Sequence, residues 1–298
     1  MTRPVSWIGR LDERGVAAVL DLNARALAAD GVAPLSGHIL EALGTGHDEY
    51  ILASLGSELI GIAVSHQDDP VELVVTPLHR HEGLGTELLH TALDRSGAVW
   101  AHGDLLSARR LAAKRGLVRT RELLQMRRAL TADWAAQQVA AAQLPDGVRL
   151  RTFEPGRDEE QFLGVNARAF DWHPEQGRLD LAGLRVEMSQ DWFDPAGFFL
   201  AVDADDTVLG FHWTKVHLDG PEPLGEVYVL GVDPAGSLNG APPRGLGAPL
   251  TAAGLAYLAD RSATVLLYVE GDNVKALKLY RRLGFETFST DVVYRRRV

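Results

Sequence analysis

Apolar residues occur along this chain in short runs, and the same order of runs appears twice. In the first half, the spacing of apolar positions predicts, in chain order, helix 16–29, strands 50–53, 59–61 and 71–75, helix 80–93 and strand 98–102. In the second half, it predicts helix 159–170, strands 198–201, 208–210 and 226–232, helix 244–258 and strand 264–270. Since strands and helices alternate in each half, we expect mixed sheets with helices packed on their faces.

Short sequence matches at equivalent places indicate that the two halves are copies of one unit. Asn23-Ala24-Arg25-Ala26 in the first helix recurs as Asn166-Ala167-Arg168-Ala169 in its counterpart. The third strand of each half ends on a dipeptide with proline, Thr76-Pro77 in one and Asp233-Pro234 in the other. Landmarks that recur in the same order point to duplication rather than chance.

The repeat gives a domain division and a fold class. The segment 131–147 is rich in alanine and glutamine and ends in Pro145-Asp146-Gly147, so it is interpreted as a helical linker that closes with a turn. We therefore expect a first domain at 1–130, a linker at 131–147 and a second domain at 148–298. Both domains are predicted to be α/β, each with a mixed α+β sheet.

A glycine-rich turn follows the third strand of each half and opens the next helix. In the first half it is Arg80-His81-Glu82-Gly83-Leu84-Gly85, and in the second it is Arg244-Gly245-Leu246-Gly247. Glycines let the backbone approach a ligand closely, and the free N–H groups of a helix start attract a pyrophosphate. A tight turn with no ligand would have the same pattern, so the turn alone leaves both interpretations open.

Taken together, strand, Thr-Pro or Asp-Pro, and Arg-x-x-Gly-x-Gly opening a helix resemble the GCN5-related N-acetyltransferase (GNAT) superfamily. The motif Leu283-Gly284-Phe285 after the last helix is similar to a second hallmark of that superfamily. The resemblance covers nearly the whole chain, twice, and extends to a tandem subgroup through the segments 30–36, 172–177, 210–217, 226–234 and 267–273.

The resemblance implies two tandem acyl-CoA N-acyltransferase domains that use acetyl-CoA as co-substrate and no metal. For the tandem subgroup, it implies acetylation of the cysteinyl α-amine of a cysteinyl-glucosaminyl-inositol. Two other functions stay open: a tandem enzyme that acetylates another small amine, and an acyl-CoA-binding module without catalysis.

Comparison of the two copies predicts that the second one is catalytic. Aligning Gly116 with Gly284 places Ala112 opposite Tyr280, so only the second copy has a phenol there. Superfamily members use a tyrosine at this position as hydrogen-bond donor to the leaving thiolate; packing against the sheet is the alternative. Glu226 is the candidate general base. The alternative is that it merely lies at an exposed end of its strand. We expect the carboxylate and the phenol to meet at one thioester carbonyl.

By resemblance, further residues are expected to bind the cofactor or the substrate. The cofactor-binding residues of the first copy would be Leu73, Val74, Val75, Arg80, His81, Glu82, Gly83, Leu84 and Gly85. Those of the second copy would be Leu230, Gly231, Val232, Arg244, Gly245, Leu246, Gly247, Ala248, Asn273, Val274, Lys275, Ala276, Leu277 and Lys278. The substrate contacts would be Glu175, Lys215, Glu226 and Tyr268. The alternative for Glu175 and Lys215 is that they are charged surface residues and do not contact the substrate.

The chain departs from the superfamily pattern at two places. The stretch 235–243 lengthens the second glycine turn, and Pro242 stands where the motif normally has Gln or Arg, which removes one N–H donor. In the first copy, Gly37-His38 stands where the subgroup has an acidic substrate contact, one helical turn before Glu41. The first copy keeps its glycine turn but lacks the phenol, so we expect it to bind acetyl-CoA and support the active half.

Composition narrows the remaining choices. The net charge of −10 disfavours nucleic-acid binding, and the absence of cysteine excludes disulfides, thiolate nucleophiles and cysteine-based metal sites. No apolar run is long enough for a bilayer, and the start lacks the pattern of a secretory signal. We therefore expect a cytoplasmic enzyme with a small-molecule amine substrate. A monomer is expected, because two domains in one chain supply the pairing that single-copy relatives obtain by dimerising.

Overall fold

A computed structural model describes residues 7–67, 69–171, 176–218, 220–238, 240–241 and 243–297 of the 298-residue chain. The chain divides into two units. The first unit comprises residues 1–124, 270–273 and 288–298, and the second comprises 125–269 and 274–287. This division differs from the linear one expected at 130 and 148, because each unit also includes segments from the other half of the sequence.

In its described residues, the first unit has four α-helices and a set of strands. The helices are α1 (Glu13–Asp30), α2 (Gly37–Ala42), α3 (Leu84–Ser96) and α4 (Leu106–Lys114). The strands are β1 (Asp48–Leu55), β2 (Glu58–His66), β3 (Glu72–Val75), β4 (Ala98–Ala101), the 117–124 part of β5 (Leu117–Ala129) and the 288–296 part of β11 (Glu286–Arg296). Strands β1, β2 and β3 form an antiparallel sheet in that order, and β11 lies between β4 and β5.

The described part of the second unit has five α-helices and a longer sheet. The helices are α5 (Ala132–Ala141), α6 (Glu159–Ala169), α7 (Leu181–Met188), α8 (Gly247–Ala259) and α9 (Val274–Arg282). The strands are the last part of β5, then β6 (Arg149–Thr152), β7 (Phe198–Val202), β8 (Val208–His217), β9 (Leu224–Val232) and β10 (Thr264–Glu270). Their order is β5-β10-β9-β8-β7-β6, with β9 and β10 parallel and β6 to β9 antiparallel.

The apolar faces predicted from the sequence pack on the sheets. In the first unit, Val19, Leu22 and Ala26 of α1 are fully buried, as their spacing of three and four residues requires of one helix face. In the second unit, stacked and edge-on rings fill the core between α6 and the sheet, including Phe162, Phe198 and Trp213.

Equivalent contacts in the two units confirm the duplication. Arg25 donates a hydrogen bond to Thr76 in the first unit, and Arg168 donates to Asp233 in the second. Both arginines belong to the repeated Asn-Ala-Arg-Ala motif, and both acceptors directly precede the proline after the third strand of their half. The two copies thus place the same cation at the end of the same strand.

Two expectations about elements need correction. The helices predicted at 80–93 and 244–258 begin at Leu84 and Gly247, because the glycine turns before them form loops. The two longest strands of the structure, β5 and β11, were not predicted at all. In β5, charged residues such as Arg119, Arg121 and Glu122 interrupt every apolar run, so no strand pattern is visible in the sequence.

Candidate functional site

Strand β9 is irregular beside the candidate base. On its β8 side, Trp213 pairs with Val229 and Thr214 pairs with Val227, so Tyr228 is an extra residue, a β-bulge. On its β10 side, the ladder covers only Gly225 to Val227, although both strands, fully described, run further. The first copy shows no such bulge: residues 61–64 of β2 pair regularly with 72–75 of β3.

The end of the β9–β10 ladder leaves one edge of β9 available. Leu230, Gly231 and Val232 pair with β8 on one side, while their other edge lies beyond the last residues paired with β10. Unpaired backbone groups at a strand edge readily bind an extended amide-containing chain, as in strand addition. This edge suits the two amides of a pantetheine arm.

The second glycine turn fits a pyrophosphate. Gly245 adopts a φ of +80°, a left-handed conformation that favours glycine. A Cβ built at Gly245 or at Gly247 would meet nothing within 4 Å, so the space beside both backbones is open. Gly247 is the first residue of α8, a 13-residue helix whose N-terminal N–H groups attract an anion. Arg244 and Ala248 are exposed at this turn, and Leu246 is buried beneath it.

The carboxylate of Glu226 is buried in β9, and a histidine contacts it. Its side chain is 8% exposed, and Nε2 of His217 lies 2.6 Å from its Oε2. His217 is the last residue of β8 and is 31% exposed. A strand residue with this burial is not an exposed strand end, so that alternative for Glu226 is wrong.

Lys215 stands beside Glu226 on the same face of the sheet. The two residues are direct cross-strand partners in the β8–β9 ladder, which puts their side chains on one face. The ammonium of Lys215 lies 4.4 Å from the ring centroid of Trp192 and 5.3 Å from that of Tyr228. Two aromatic faces at these distances hold a cation in place. The phenol of Tyr228 in turn donates to Glu187 of α7.

Tyr280 lies on α9 in the same unit. It is 7% exposed, its ring packs edge-on against Phe285, and burial raises its pKa to about 12. At neutral pH this phenol therefore keeps its proton and can donate a hydrogen bond.

Tyr268 on β10 is tied to β5. Its hydroxyl accepts a hydrogen bond of 2.6 Å from Gln125, whose side-chain oxygen accepts from Arg127. Tyr268 is 47% exposed and two residues beyond Leu266, the partner of Glu226 in the β9–β10 ladder. Because side chains alternate along a strand, Tyr268 and Glu226 point to the same face of the sheet.

The glycine turn of the first unit has a different charge arrangement. His81 and Gly83 adopt φ values of +68° and +96°, which creates a turn of the kind that binds anions through backbone N–H groups. The guanidinium of Arg80 makes two hydrogen bonds to Asp30, at 2.7 and 2.6 Å, and one to the Val75 carbonyl. Arg80 therefore stabilises the turn, and the carboxylate of Asp30 largely balances its charge.

The other predicted positions are distributed as follows. Leu73 is partly buried, whereas Val74 and Val75 are buried in β3, Leu84 is buried at the start of α3, and Glu82 lies 3.3 Å from His79. Asn273 immediately precedes α9, and its N–H donates to the Glu270 carbonyl. On α9, Val274, Lys275 and Lys278 are exposed, Ala276 is partly buried, and Leu277 is buried. Glu175 and Pro242 lie outside the described residues.

Sequence reasoning missed several neighbours of the site. His217 lies two residues after Lys215, and strand alternation could have placed both on one face if β8 had been predicted beyond residue 210. Gln125 and Trp192 carried no signal, because they belong to segments far from Tyr268 and Lys215 in the chain.

Two further features, a metal-binding cluster and a membrane-spanning helix, are absent from the described residues. Within the described part of the chain, no group of three or more His, Asp or Glu side chains is arranged to hold a metal ion. No helix among the same residues combines the length and apolar character needed to cross a bilayer.

Comparison with known proteins adds sequence relationships to this geometry. The acetyltransferase (GNAT) family model matches residues 165–285, in the second copy. The chain is 47% identical over 302 aligned positions to a mycothiol acetyltransferase of Nocardia farcinica, covering 97% of each protein. It is 50% identical to a mycothiol acetyltransferase of Thermobispora bispora, covering 94% of this chain and 95% of that protein.

Solved structures with similar folds include GCN5-related N-acetyltransferases, one of them described as a tandem protein. A GCN5-related N-acetyltransferase from Sphaerobacter thermophilus superposes with a TM-score of 0.69 at 24% identity, covering 99% of this chain and 96% of that one. A tandem GNAT protein from the clavulanic acid biosynthesis pathway gives 0.67 at 18% identity, with 97% of each chain covered. At these identities the likeness confirms the fold.

Proposed function

This chain belongs to the mycothiol acetyltransferase family, and from that premise we propose how it works. It is an acetyl-CoA-dependent N-acetyltransferase that transfers the acetyl group to the cysteinyl α-amine of cysteinyl-glucosaminyl-inositol, giving mycothiol and coenzyme A. The observation that carries this proposal is the buried Glu226 beside the bulge of β9, where the backbone edge for an acyl-CoA begins.

Each group at the site matches one requirement of acyl transfer. The amine nitrogen attacks the thioester carbonyl, its proton passes to Glu226 directly or through water, and the C–S bond breaks. A free α-amine has a pKa near 8, so a fair fraction is already neutral at pH 7, and the base removes only the last proton. Backbone N–H groups of 230–232 are proposed to face the carbonyl oxygen.

Tyr280 is proposed to stabilise the leaving thiolate through a hydrogen bond. With its pKa near 12 against about 8.5 for a thiol, complete proton transfer would be uphill by roughly 5 kcal/mol. A strong hydrogen bond that forms as the thioester collapses avoids most of that cost, since it grows with the charge on sulfur.

Turnover with a defined acceptor tests the proposed reaction. The protein is incubated with acetyl-CoA and cysteinyl-glucosaminyl-inositol, and mass spectrometry should show the acceptor gaining one acetyl group on nitrogen. Polyamines and aminoglycosides serve as control acceptors, because a tandem enzyme for another amine would prefer one of them. Acetyl-CoA binding without turnover of any acceptor would instead support a non-catalytic binding module.

The first copy is proposed to bind acetyl-CoA without turning it over. Its glycine turn has the left-handed residues of an anion site, but alanine stands at position 112, where the second copy has Tyr280. Isothermal titration should then report two sites per chain. Gly83→Asp should remove one site and keep turnover, whereas Gly245→Asp should remove the other and abolish it. A single site lost in Gly245→Asp would contradict this proposal.

We also propose the oligomeric state, the location and the partners of the chain. The chain would act as a cytoplasmic monomer on a small-molecule amine, without nucleic acid or membrane partners. Light scattering behind size-exclusion chromatography should give a mass near the 32.4 kDa of one chain, and a dimer mass would contradict the proposed monomer.

A further inference from the structure

A histidine links the buried carboxylate of the second unit to the protein surface. The Nε2 atom of His217 lies 2.6 Å from Oε2 of Glu226, a distance typical of a charge-assisted hydrogen bond. The carboxylate side chain is 8% exposed, whereas the imidazole is 31% exposed. A buried carboxylate without such a donor would be pushed towards its neutral form, which cannot act as a base.

Several other titratable groups lie on this face of the sheet. Among the described groups, His217 is bonded to the carboxylate of Glu226. The others are Lys215 on β8, Tyr228 on β9 and Tyr268 on β10, with Glu187 of α7 bonded to Tyr228 and Arg127 of β5 bonded to Gln125. The Lys215 ammonium lies over the rings of Trp192 and Tyr228.

We propose that His217 is a positioning residue, which holds the Glu226 carboxylate in the orientation needed to accept the proton of the attacking amine. This inference rests on the proposed function of Glu226 as base. In neutral His217 the proton is on Nε2 and is donated to Oε2. Oε1 then accepts the proton of the attacking amine and releases it to water before the next turnover, while the Nε2–H bond is kept.

Two substitutions separate positioning from simple structural support. His217→Leu removes the donor at similar size, whereas His217→Gln places an amide N–H near the position of Nε2. A hydrogen bond to a charged group contributes about 1.5–3 kcal/mol, so loss of the donor in His217→Leu should lower kcat at least about tenfold. His217→Gln should keep kcat within about threefold of the wild type, because an N–H donor is still present.

The split between kinetic constants gives a second readout. Because Glu226 acts on the amine, His217→Leu should lower kcat roughly tenfold and change KM for acetyl-CoA less than about twofold. Equal kcat values in wild type and His217→Leu would overturn the inference. So would an equal loss of kcat in His217→Leu and His217→Gln.

Nuclear magnetic resonance tests the same pair without turnover. With ¹³C-labelled glutamate, the Glu226 carboxyl signal, identified by its loss in Glu226→Gln, should differ in chemical shift between His217→Leu and wild type at the same pH. In wild type, ¹⁵N shifts should show the Nε2–H tautomer of His217, a measurement that does not depend on the folding of His217→Leu. The Nδ1–H tautomer, or an unchanged Glu226 chemical shift, would overturn the inference, whereas absent wild-type turnover would overturn only the proposed function.

Discussion

Lys215 and Glu226 face each other directly across the β8–β9 ladder, and Glu226 lies two residues before the bulged residue Tyr228. Their neighbours differ in character: aromatic rings of Trp192 and Tyr228 hold the ammonium, and the imidazole of His217 holds the carboxylate. Both charges are therefore fixed in position before a substrate arrives, which lowers the entropy lost when one binds.

Replacing Lys215 with methionine should weaken binding of the acceptor. The change keeps roughly the length of the side chain but removes the ammonium, which lies over the Trp192 ring. Loss of one charge-assisted hydrogen bond predicts a KM for the acceptor about tenfold higher or more, with KM for acetyl-CoA unchanged. Steady-state kinetics with each substrate varied in turn measures this. An unchanged acceptor KM would remove Lys215 from the substrate contacts.

Glu226→Gln should lower kcat/KM by about 10²–10⁴-fold, the usual contribution of a general base. The amide is nearly isosteric and can still bond to His217, so the fold and acetyl-CoA affinity should be retained. Glu222→Gln is the matched control, because it is an exposed glutamate just before β9. Equal activities of the two variants would exclude Glu226 as the base.

Tyr280→Phe should reduce kcat about 10²-fold or more, since the donor to the thiolate is lost while the ring and its contact with Phe285 remain. Acetyl-CoA affinity by titration calorimetry should stay within about threefold of wild type, because the hydroxyl acts mainly on the leaving sulfur. Tyr257→Phe, on α8, is a control for loss of a hydrogen-bonded tyrosine hydroxyl that is only partly buried. Full activity of Tyr280→Phe would leave only the packing role for this residue.

A buried ionic cluster in the first unit predicts pH-dependent stability. His102 lies 3.2 Å from Glu72 and 3.1 Å from Asp291. Although burial opposes it, the charge of Glu72 and the bond to Asp291 raise the pKa of His102 to about 10. A histidine whose pKa is raised on folding contributes stability in full below its unfolded value near 6.5, and that contribution is lost as pH rises towards 10.

The variant that tests this is His102→Asn. Because breaking a buried ion pair leaves a carboxylate unpaired, the free energy of unfolding at pH 6 should fall by about 3 kcal/mol, and the difference from wild type should shrink by pH 10. Urea unfolding at both pH values measures it. His90→Asn, at a histidine whose side chain is 71% exposed, should change stability by less than about 0.5 kcal/mol.

His212 should make the second unit sensitive to acid. It is fully buried under α8, its Nδ1 lies 2.8 Å from the Leu250 carbonyl, and burial lowers its pKa to about 4. Since the unfolded chain binds this proton near pH 6.5, stability should decrease by roughly 3 kcal/mol between pH 6.5 and 4. His212→Gln should flatten that part of the stability curve, measured by urea unfolding. A curve of unchanged slope would contradict this assignment.

The sequence was most informative where a pattern is local. The first helix of each half, the strand pairs and the glycine turns follow from apolar spacing and from glycine and proline positions, and the structure has them. The alternation of β8 was followed only to residue 210, so His217 was missed although it shares a strand face with Lys215.

Charge-rich strands were beyond such reasoning. Strand β5 is partly exposed along most of its length, and its arginines pair with carboxylates from distant segments, such as Arg121 with Glu270. No sequence pattern within ten residues of Arg121 indicates that Glu270 is its partner. Gln125 is a similar case, since its contact with Tyr268 joins residues 143 positions apart.

The sequence by itself determined the duplication, the fold class, the glycine turns and the difference between Ala112 and Tyr280 at equivalent positions of the two copies. Each depends on residue types at positions that can be counted along the chain. Tertiary structure decided that Tyr228 bulges from β9, that Glu226 is buried and bonded to His217, and that β11 joins the first unit. Those features arise from hydrogen bonds and packing between distant segments, whose free energies no local pattern contains.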